Sequence, residues 1–336
     1  METLLLDAGN SADCAKALRL LQAGKLVAVP TETVYGLAAD ARQPEAVKRI
    51  FSAKQRPHSH PLIVHIADAI ELPRWADPIP AAAWTLARHF WPGPLTLLLP
   101  KAAHVAPEVT GGLPTIGLRV PAQPVLRDLL RALGSGLAAP SANLHKQLSA
   151  TSAAQVLSTL QGRIDAVLDG GDCAVGLEST IVDLTADPVR ILRAGPVSRA
   201  ELEAALGQAV LLPVNHDEVV PGNVAIHYRP PHTPVYLVDG PLLQRLAARY
   251  SDKRLGVLNL AVPQAIPLPA RWLSLALPAD KAGYARALYQ TLFTLDRQGC
   301  EALLVLQPPT TEAWADVNDR LRRAAHDALP ASLQLP

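Results

Sequence analysis

The stretch from Lys25 to Ile66 constrains the fold more than any other part of the chain. An apolar run, Leu26 to Val29, reads as a buried strand that Pro30 stops. A polar turn, Thr31-Glu32-Thr33, follows, and Tyr35-Gly36-Leu37 leads back into apolar sequence. Pro44 suits the first turn of a helix, where its missing N–H costs nothing. Ala46, Val47, Ile50 and Phe51 then share one helical face, and Pro57 ends the helix with Lys54 and Arg56 at its C-terminal edge. A second apolar run, Leu62 to Ile66, returns as a strand. Hydroxyls, a carboxylate and two cations are thus set between two buried strands, and strand-end loops are where α/β proteins place chemistry. Each piece alone also has a plain structural reading: a turn or cap for Thr-Glu-Thr, dipole partners for the two cations.

A chain of 336 residues argues for about two domains, and 49% hydrophobic content supplies their cores. With that apolar content, the 31 prolines read as rigid turns and loop ends, not as disorder. A net charge of +1 advertises no global basic field for nucleic acid, though a local patch stays open. Cys14, Cys173 and Cys300 are far apart and form no CxxC pair, so neither a zinc ribbon nor a disulfide framework is expected. Reduced thiols and a cytoplasmic location are the default. Glu2 and Asp7 near the start argue against a signal peptide, and no apolar run approaches the ~18 residues of a membrane span.

Along the chain, Ser11 to Gln22 reads as a helix capped by Ser11. Asp68 to Phe90 reads as two helical pieces, and Leu95 to Leu99 as a strand too apolar for an edge. Thr115 to Pro121 is a strand carrying Arg119, and an arginine there calls for an anionic partner. Gly136 to Asn143 is a short strand of small residues. Ser152 with Gln155, and Ser198 with Glu201, read as capping boxes. Strands are expected at Ala166–Asp169, Glu178–Asp183 and Val189–Leu192. Without strict βαβ alternation, residues 1–211 predict a twisted mixed-sheet α/β catalytic domain. Residues 212–234 read as a proline-rich linker, and 235–336 as a smaller Rossmann-like three-layer domain of order β-α-β-α-β-α. A hinged lid is one reading of the linker segment that Pro221-Gly222 and Pro230-Pro231 bracket around His227-Tyr228, and a plain spacer is the other.

Walker, GxGxxG, HExxH and GxSxG signatures are all absent. His58, His60 and His65 lie close together but lack partners at ligand spacing, so no tightly bound protein metal is expected. His65 reads either as a satisfied core histidine or as a pocket residue. What remains is a polar inventory at strand ends: Thr31, Thr33, Lys54, Arg56, Arg119, Ser141, Asn143, Thr180 and Arg193. Four cations among hydroxyls suit a ligand with two anionic parts, such as a polyphosphate and a carboxylate. With no obvious protein nucleophile, the nucleophile belongs to the substrate, and catalysis is positioning plus charge neutralisation.

PTETVYGL, AKQRP with HPLIVHI, WPGPLT, TIGLRVP, APSAN, ESTIVDL and ILRAG occur in this order, followed by ADVNDRLRRAA. Together they resemble the long, two-domain form of the threonylcarbamoyl-AMP synthase family. The resemblance implies that L-threonine, bicarbonate and ATP give threonylcarbamoyl-adenylate, pyrophosphate and water, with Mg²⁺ carried by ATP. The product would feed threonylcarbamoyladenosine formation in tRNA through a downstream transferase machinery, with at most a weak RNA contact and no membrane. The family's Lys-x-Arg and Ser-x-Asn tetrad falls on Lys54, Arg56, Ser141 and Asn143. The resemblance places Thr33, His65, Arg119, Ala139 and Thr180 around threonine. It places Arg56, His60, Thr115, Ser141, Ser149, Arg193 and Tyr228 around ATP. His60 departs from the family, which commonly has Asn before Pro-Leu, and PGNVAIHYRP departs from its PGMKYRHYAP linker. Two rivals share the fold: a carbamoyl transferase, which would also need an acylphosphatase region and zinc-finger cysteines, and a non-catalytic double-stranded RNA binder.

Overall fold

The computed structural model describes residues 2–212, 226–261 and 266–334. The expected hinge at Pro221-Gly222 lies outside the described residues. The chain divides into two units, one of residues 1–145 and 149–224, the other of residues 146–148 and 225–336.

The first unit is built on ten strands: β1 (Leu4–Asp7), β2 (Val27–Val29), β3 (Gly36–Asp40), β4 (Ile63–His65), β5 (Leu95–Pro100), β6 (Thr115–Arg119), β7 (Leu137–Ala138), β8 (Ala166–Asp169), β9 (Thr180–Asp183) and β10 (Arg190–Arg193). They form one mixed sheet in the order β1-β8-β2-β3-β7-β4-β6-β5-β9-β10. β2 to β7 and β9 are almost wholly buried, which explains why their sequences are continuous apolar runs and not alternating ones. The core on one side gathers Tyr35, Ile50, Phe51, Val64 and Leu97, and the other gathers Leu21, Val29, Leu130 and Leu168. This is the expected mixed α/β domain.

Local signals mostly place the helices as expected. Pro44–Lys54 starts on its proline and ends at Gln55, whose φ of 54° is left-handed. Ser198 and Glu201 form a reciprocal capping box. Two caps differ. Asn10, not Ser11, caps the helix Ser11–Gln22, its side chain accepting from the amides of Ala12 and Asp13. Asn10 stands one residue earlier, where its oxygen reaches the free amides of the first turn. Ser152 caps its helix, but Gln155 Oε1 accepts from Thr151 N at 2.6 Å and so ties down the preceding loop residue.

The second unit holds β11 (Val235–Val238), β12 (Leu255–Leu260), β13 (Leu273–Leu277) and β14 (Ala302–Leu306) in an all-parallel sheet of order β11-β14-β12-β13. Helices Gly240–Arg249, Lys281–Asp296 and Ala315–Ala324 accompany it. The expected three-strand pattern thus gains a fourth strand. β13 lies at a sheet edge with three of its five residues exposed, and nearby prolines give it the look of a loop. Residues 146–148 belong to this unit through backbone bonds from Leu148 N to Arg229 O (3.1 Å) and from Arg229 N to Lys146 O (3.0 Å). Among the described residues no helix is long and apolar enough to cross a membrane.

Candidate active site

The turn between β2 and β3 is fixed by its own hydroxyls. Thr31 Oγ1 donates to Val34 O (2.6 Å) and accepts from the amides of Thr33 (3.0 Å) and Val34 (3.1 Å). Val175 N donates to Glu32 O and Gly176 N to Thr33 O, so a second loop clamps the turn. Arg119, the last residue of β6, is 3% exposed and reaches into it. Its Nε donates to Gly93 O (3.1 Å) and its Nη1 to Thr33 Oγ1 (2.9 Å), while Nη2 lies 2.6 Å from Glu32 Oε1. The anion that a buried arginine requires is therefore, in this state, Glu32.

His65 is the register partner of Arg119 across β4 and β6. Burial first, and then the Arg119 charge, push its pKa down to about 3, so the ring is neutral at physiological pH. Thr180 opens β9, with Oγ1 donating to Val197 O (2.8 Å) and accepting from Val197 N (3.0 Å). A Cβ on Gly195 would stand 2.3 Å from Thr180 N, so only glycine lets that loop close over the strand. Ala139 follows β7 and bonds Ile63 O through its amide. Thr33, His65, Arg119, Ala139 and Thr180 thus sit on strand ends or strand-flanking loops of one sheet. Thr33 and His65 both adjoin Arg119 directly.

The expected tetrad is physically tied. Lys54, 1% exposed at its helix C-terminus, donates from Nζ to the carbonyls of both Ser141 and Asn143 (2.5 Å each). Burial, then the neighbouring Arg56 charge, hold the Lys54 pKa well below its ordinary 10.5. Arg56 Nη2 donates to Pro61 O (3.1 Å), just before β4. The same loop is joined to the Thr31–Tyr35 turn, since Ser141 bridges Gly36 and Ala142 N donates to Tyr35 O (2.7 Å). Lys54 and Arg119 are therefore linked through one continuous run of side-chain and backbone bonds.

The remaining residues expected on the nucleotide side are distributed. His60 stacks edge-on against His145, whose amide donates to Lys54 O. Arg193 donates from Nε to Ser179 O and from Nη2 to Ser179 Oγ, each at 3.0 Å. Ser149 is fully buried and its hydroxyl donates to Glu178. Thr115 starts β6, four residues before Arg119, which is roughly 13 Å along a strand. It is thus separated from the Arg119 end of the site. Tyr228 belongs to the second unit, where its ring is 1% exposed, stacks 5.8 Å from Tyr289 and lies under the Arg320 guanidinium.

Glu32, Glu178 and Ser179 are not on the list that sequence reasoning gave. Glu32 stood in the polar turn that opened the argument, and Glu178 and Ser179 began an expected strand. Their pairings with Arg119, Ser149 and Arg193 cross 87, 29 and 14 positions, beyond the reach of any local pattern. Among the described residues no group of three or more His, Cys, Asp or Glu could hold a metal ion.

Two buried cations, Lys54 and Arg56, tied at a helix end to the loop after one strand, and a buried arginine at the end of another, suit an anionic ligand, and comparison with known proteins gives the family. Residues 19–195 match the Sua5_yciO_yrdC family model, described as Telomere recombination, and residues 197–326 match Sua5_C, described as Threonylcarbamoyl-AMP synthase, C-terminal domain. The chain belongs to the two-domain threonylcarbamoyl-AMP synthase family. It is 37% identical over 330 residues to the threonylcarbamoyl-AMP synthase of Pyrococcus abyssi, covering 92% of this chain and 93% of that one. It is 37% identical over 325 residues to that of Bacillus subtilis, covering 94% of each. The crystal structure of P. abyssi Sua5 complexed with L-threonine superposes with a TM-score of 0.88 at 34% identity, covering 97% of this chain and 98% of that one.

Proposed function

We propose that this chain condenses L-threonine, bicarbonate and ATP into L-threonylcarbamoyl-adenylate, releasing pyrophosphate and water. The reading is supported most by two buried cationic centres on one sheet, joined through a single loop: Arg119 beside Thr33, and Lys54 with Arg56 beside Ser141 and Asn143. One centre suits a carboxylate and the other a phosphate chain. Bicarbonate takes up a proton and loses water to give carbon dioxide, and the threonine nitrogen, as the free amine, bonds its carbon and loses a proton to give a carbamate. A carbamate oxygen then bonds the α-phosphorus while the bond to pyrophosphate breaks. No protein nucleophile takes part.

In this reading Arg119 holds the threonine carboxylate, with Thr33, neutral His65, Ala139 and Thr180 shaping the amino-acid pocket. Lys54 and Arg56 neutralise charge on the carbamate and α-phosphate, and Ser141 and Asn143 orient them. His60, Thr115, Ser149 and Arg193 take the nucleotide side. Such preorganised donors act strongly because they are shut off from water before the ligand arrives. Mg²⁺ enters with ATP as part of the substrate. A cytoplasmic location and delivery of the product to a tRNA-modifying transferase go with this reading.

The test is pyrophosphate release by the full chain. It should require threonine and bicarbonate together. Release without threonine, or none from folded protein supplied with all three, would sink the assignment.

A further inference from the structure

Glu32 has no task in the mechanism above. Its side chain is 12% exposed, and both carboxylate oxygens are closed off from solvent without accepting a hydrogen bond. Its charge is met by Arg119 Nη2 alone, at 2.6 Å from one of its oxygens, while Nε and Nη1 of that guanidinium donate to Gly93 O and Thr33 Oγ1. The backbone that carries it is fixed, because Thr31 locks the turn and Val175 N holds the Glu32 carbonyl, so the carboxylate moves only by its own side-chain rotation. A buried carboxylate with a single guanidinium nitrogen against one oxygen leaves most of its acceptor capacity unused, and a ligand that brings donors would fill it.

An α-amino acid brings what the pair lacks. Its carboxylate matches Arg119, and its ammonium carries three donors for a carboxylate beside Arg119. We propose that Glu32 receives the ammonium group of the amino-acid substrate, so that Arg119 and Glu32 together read the zwitterion. This rests on the reading of Arg119 as the carboxylate anchor. On binding, the internal ion pair opens and each partner takes the opposite end of the substrate, leaving the buried charge balanced before and after. An α-hydroxy acid would take Arg119 from Glu32 and give nothing in return. A buried group left unpaired in this way is a strong means of rejection.

The test uses calorimetric titration of the full chain with L-threonine and with the hydroxy acid in which hydroxyl replaces its ammonium. Wild type should bind threonine about tenfold to a hundredfold more tightly. Equal binding of the two by wild type would overturn the proposal without any variant. Glu32→Gln should lose most of that preference, through weaker threonine binding and unchanged or tighter hydroxy-acid binding, while ATP affinity stays within about twofold of wild type. A preference that survives in Glu32→Gln, because both ligands weaken together or neither does, would make Glu32 only a counter-ion that aims Arg119. Wild type that binds threonine with this preference but makes no adenylate would remove the proposed reaction and leave the ammonium site standing.

Discussion

Replacing Lys54 with methionine separates the two jobs this lysine performs. The substitution keeps an unbranched side chain and removes the ammonium that Asn143 O and Ser141 O accept from, while Ser141 O keeps its bond from the Asn143 amide (3.1 Å). An unsatisfied buried acceptor costs roughly 1–3 kcal/mol, and with Ser141 O still bonded the gross loss is about that of one such group. A second effect opposes it. Burial and Arg56 lower the folded-state pKa below 10.5, so the unfolded chain binds this proton more readily than the folded one. Stability of the wild type therefore rises with pH between the folded pKa and 10.5, and the cost of charging Lys54 is fully present below that window. Lys54→Met escapes the cost. Its destabilisation should consequently be smaller than the gross figure at pH 7 and should grow towards pH 10. Urea unfolding at both pH values measures this directly. In the reaction, loss of a preorganised donor at the developing charge should lower adenylate formation by about 10²–10³. A variant that unfolds with the same pH dependence as wild type and keeps more than half its rate would refute the reasoning on both counts.

Arg119→Leu should weaken threonine binding far more than ATP binding, as read by calorimetry. It should also destabilise by roughly 3–5 kcal/mol, because Glu32 stays buried without its counter-charge, and adding Glu32→Leu should recover part of the loss. His65, with a pKa near 3 against an unfolded 6.5, contributes stability that is whole above pH 6.5 and lost as pH falls towards 3. Wild type should therefore lose about 2.5 kcal/mol more than His65→Gln between pH 7 and 4.5, and parallel unfolding curves would contradict the neutral buried ring. Gly195→Ala should cost about 1–3 kcal/mol, because its Cβ meets Thr180 N at 2.3 Å. An unchanged melting temperature would show that the loop has room to shift.

The parts of this fold that were legible from sequence are those decided locally. Buried strands announced themselves as apolar runs at Leu26–Val29, Leu62–Ile66 and Leu95–Leu99, and Ser198 with Glu201 marked a helix start that the structure reproduces. The strand order could not be read, since β2 pairs with β8 and β5 with β9 across long separations that leave no periodic trace. The site was legible as an inventory but not as a network. The positions of Lys54, Ser141 and Asn143 follow from motif order, whereas the lysine's two carbonyl partners follow only from where β7 ends. Glu32 and Glu178 stand outside the expected site residues because an acidic residue in a turn or at a strand start has no assignable role until its partner is placed. The cap at Asn10 was missed by a single residue, since two neighbouring polar side chains compete for one role and only geometry decides.

The edge strand β13 bears on how the protein behaves in concentrated solution. A parallel sheet with an exposed border offers unpaired backbone groups to any extended chain, including a second copy in a crowded or partly unfolded sample. Leu275, 36% exposed at the centre of β13, adds an apolar anchor to that border. Pro269 on one side and Pro278 on the other, neither able to donate a backbone hydrogen bond, hold the vulnerable length to a few residues. Replacing both should lengthen the pairable edge, and such a preparation should turn cloudy at concentrations where the natural chain stays clear.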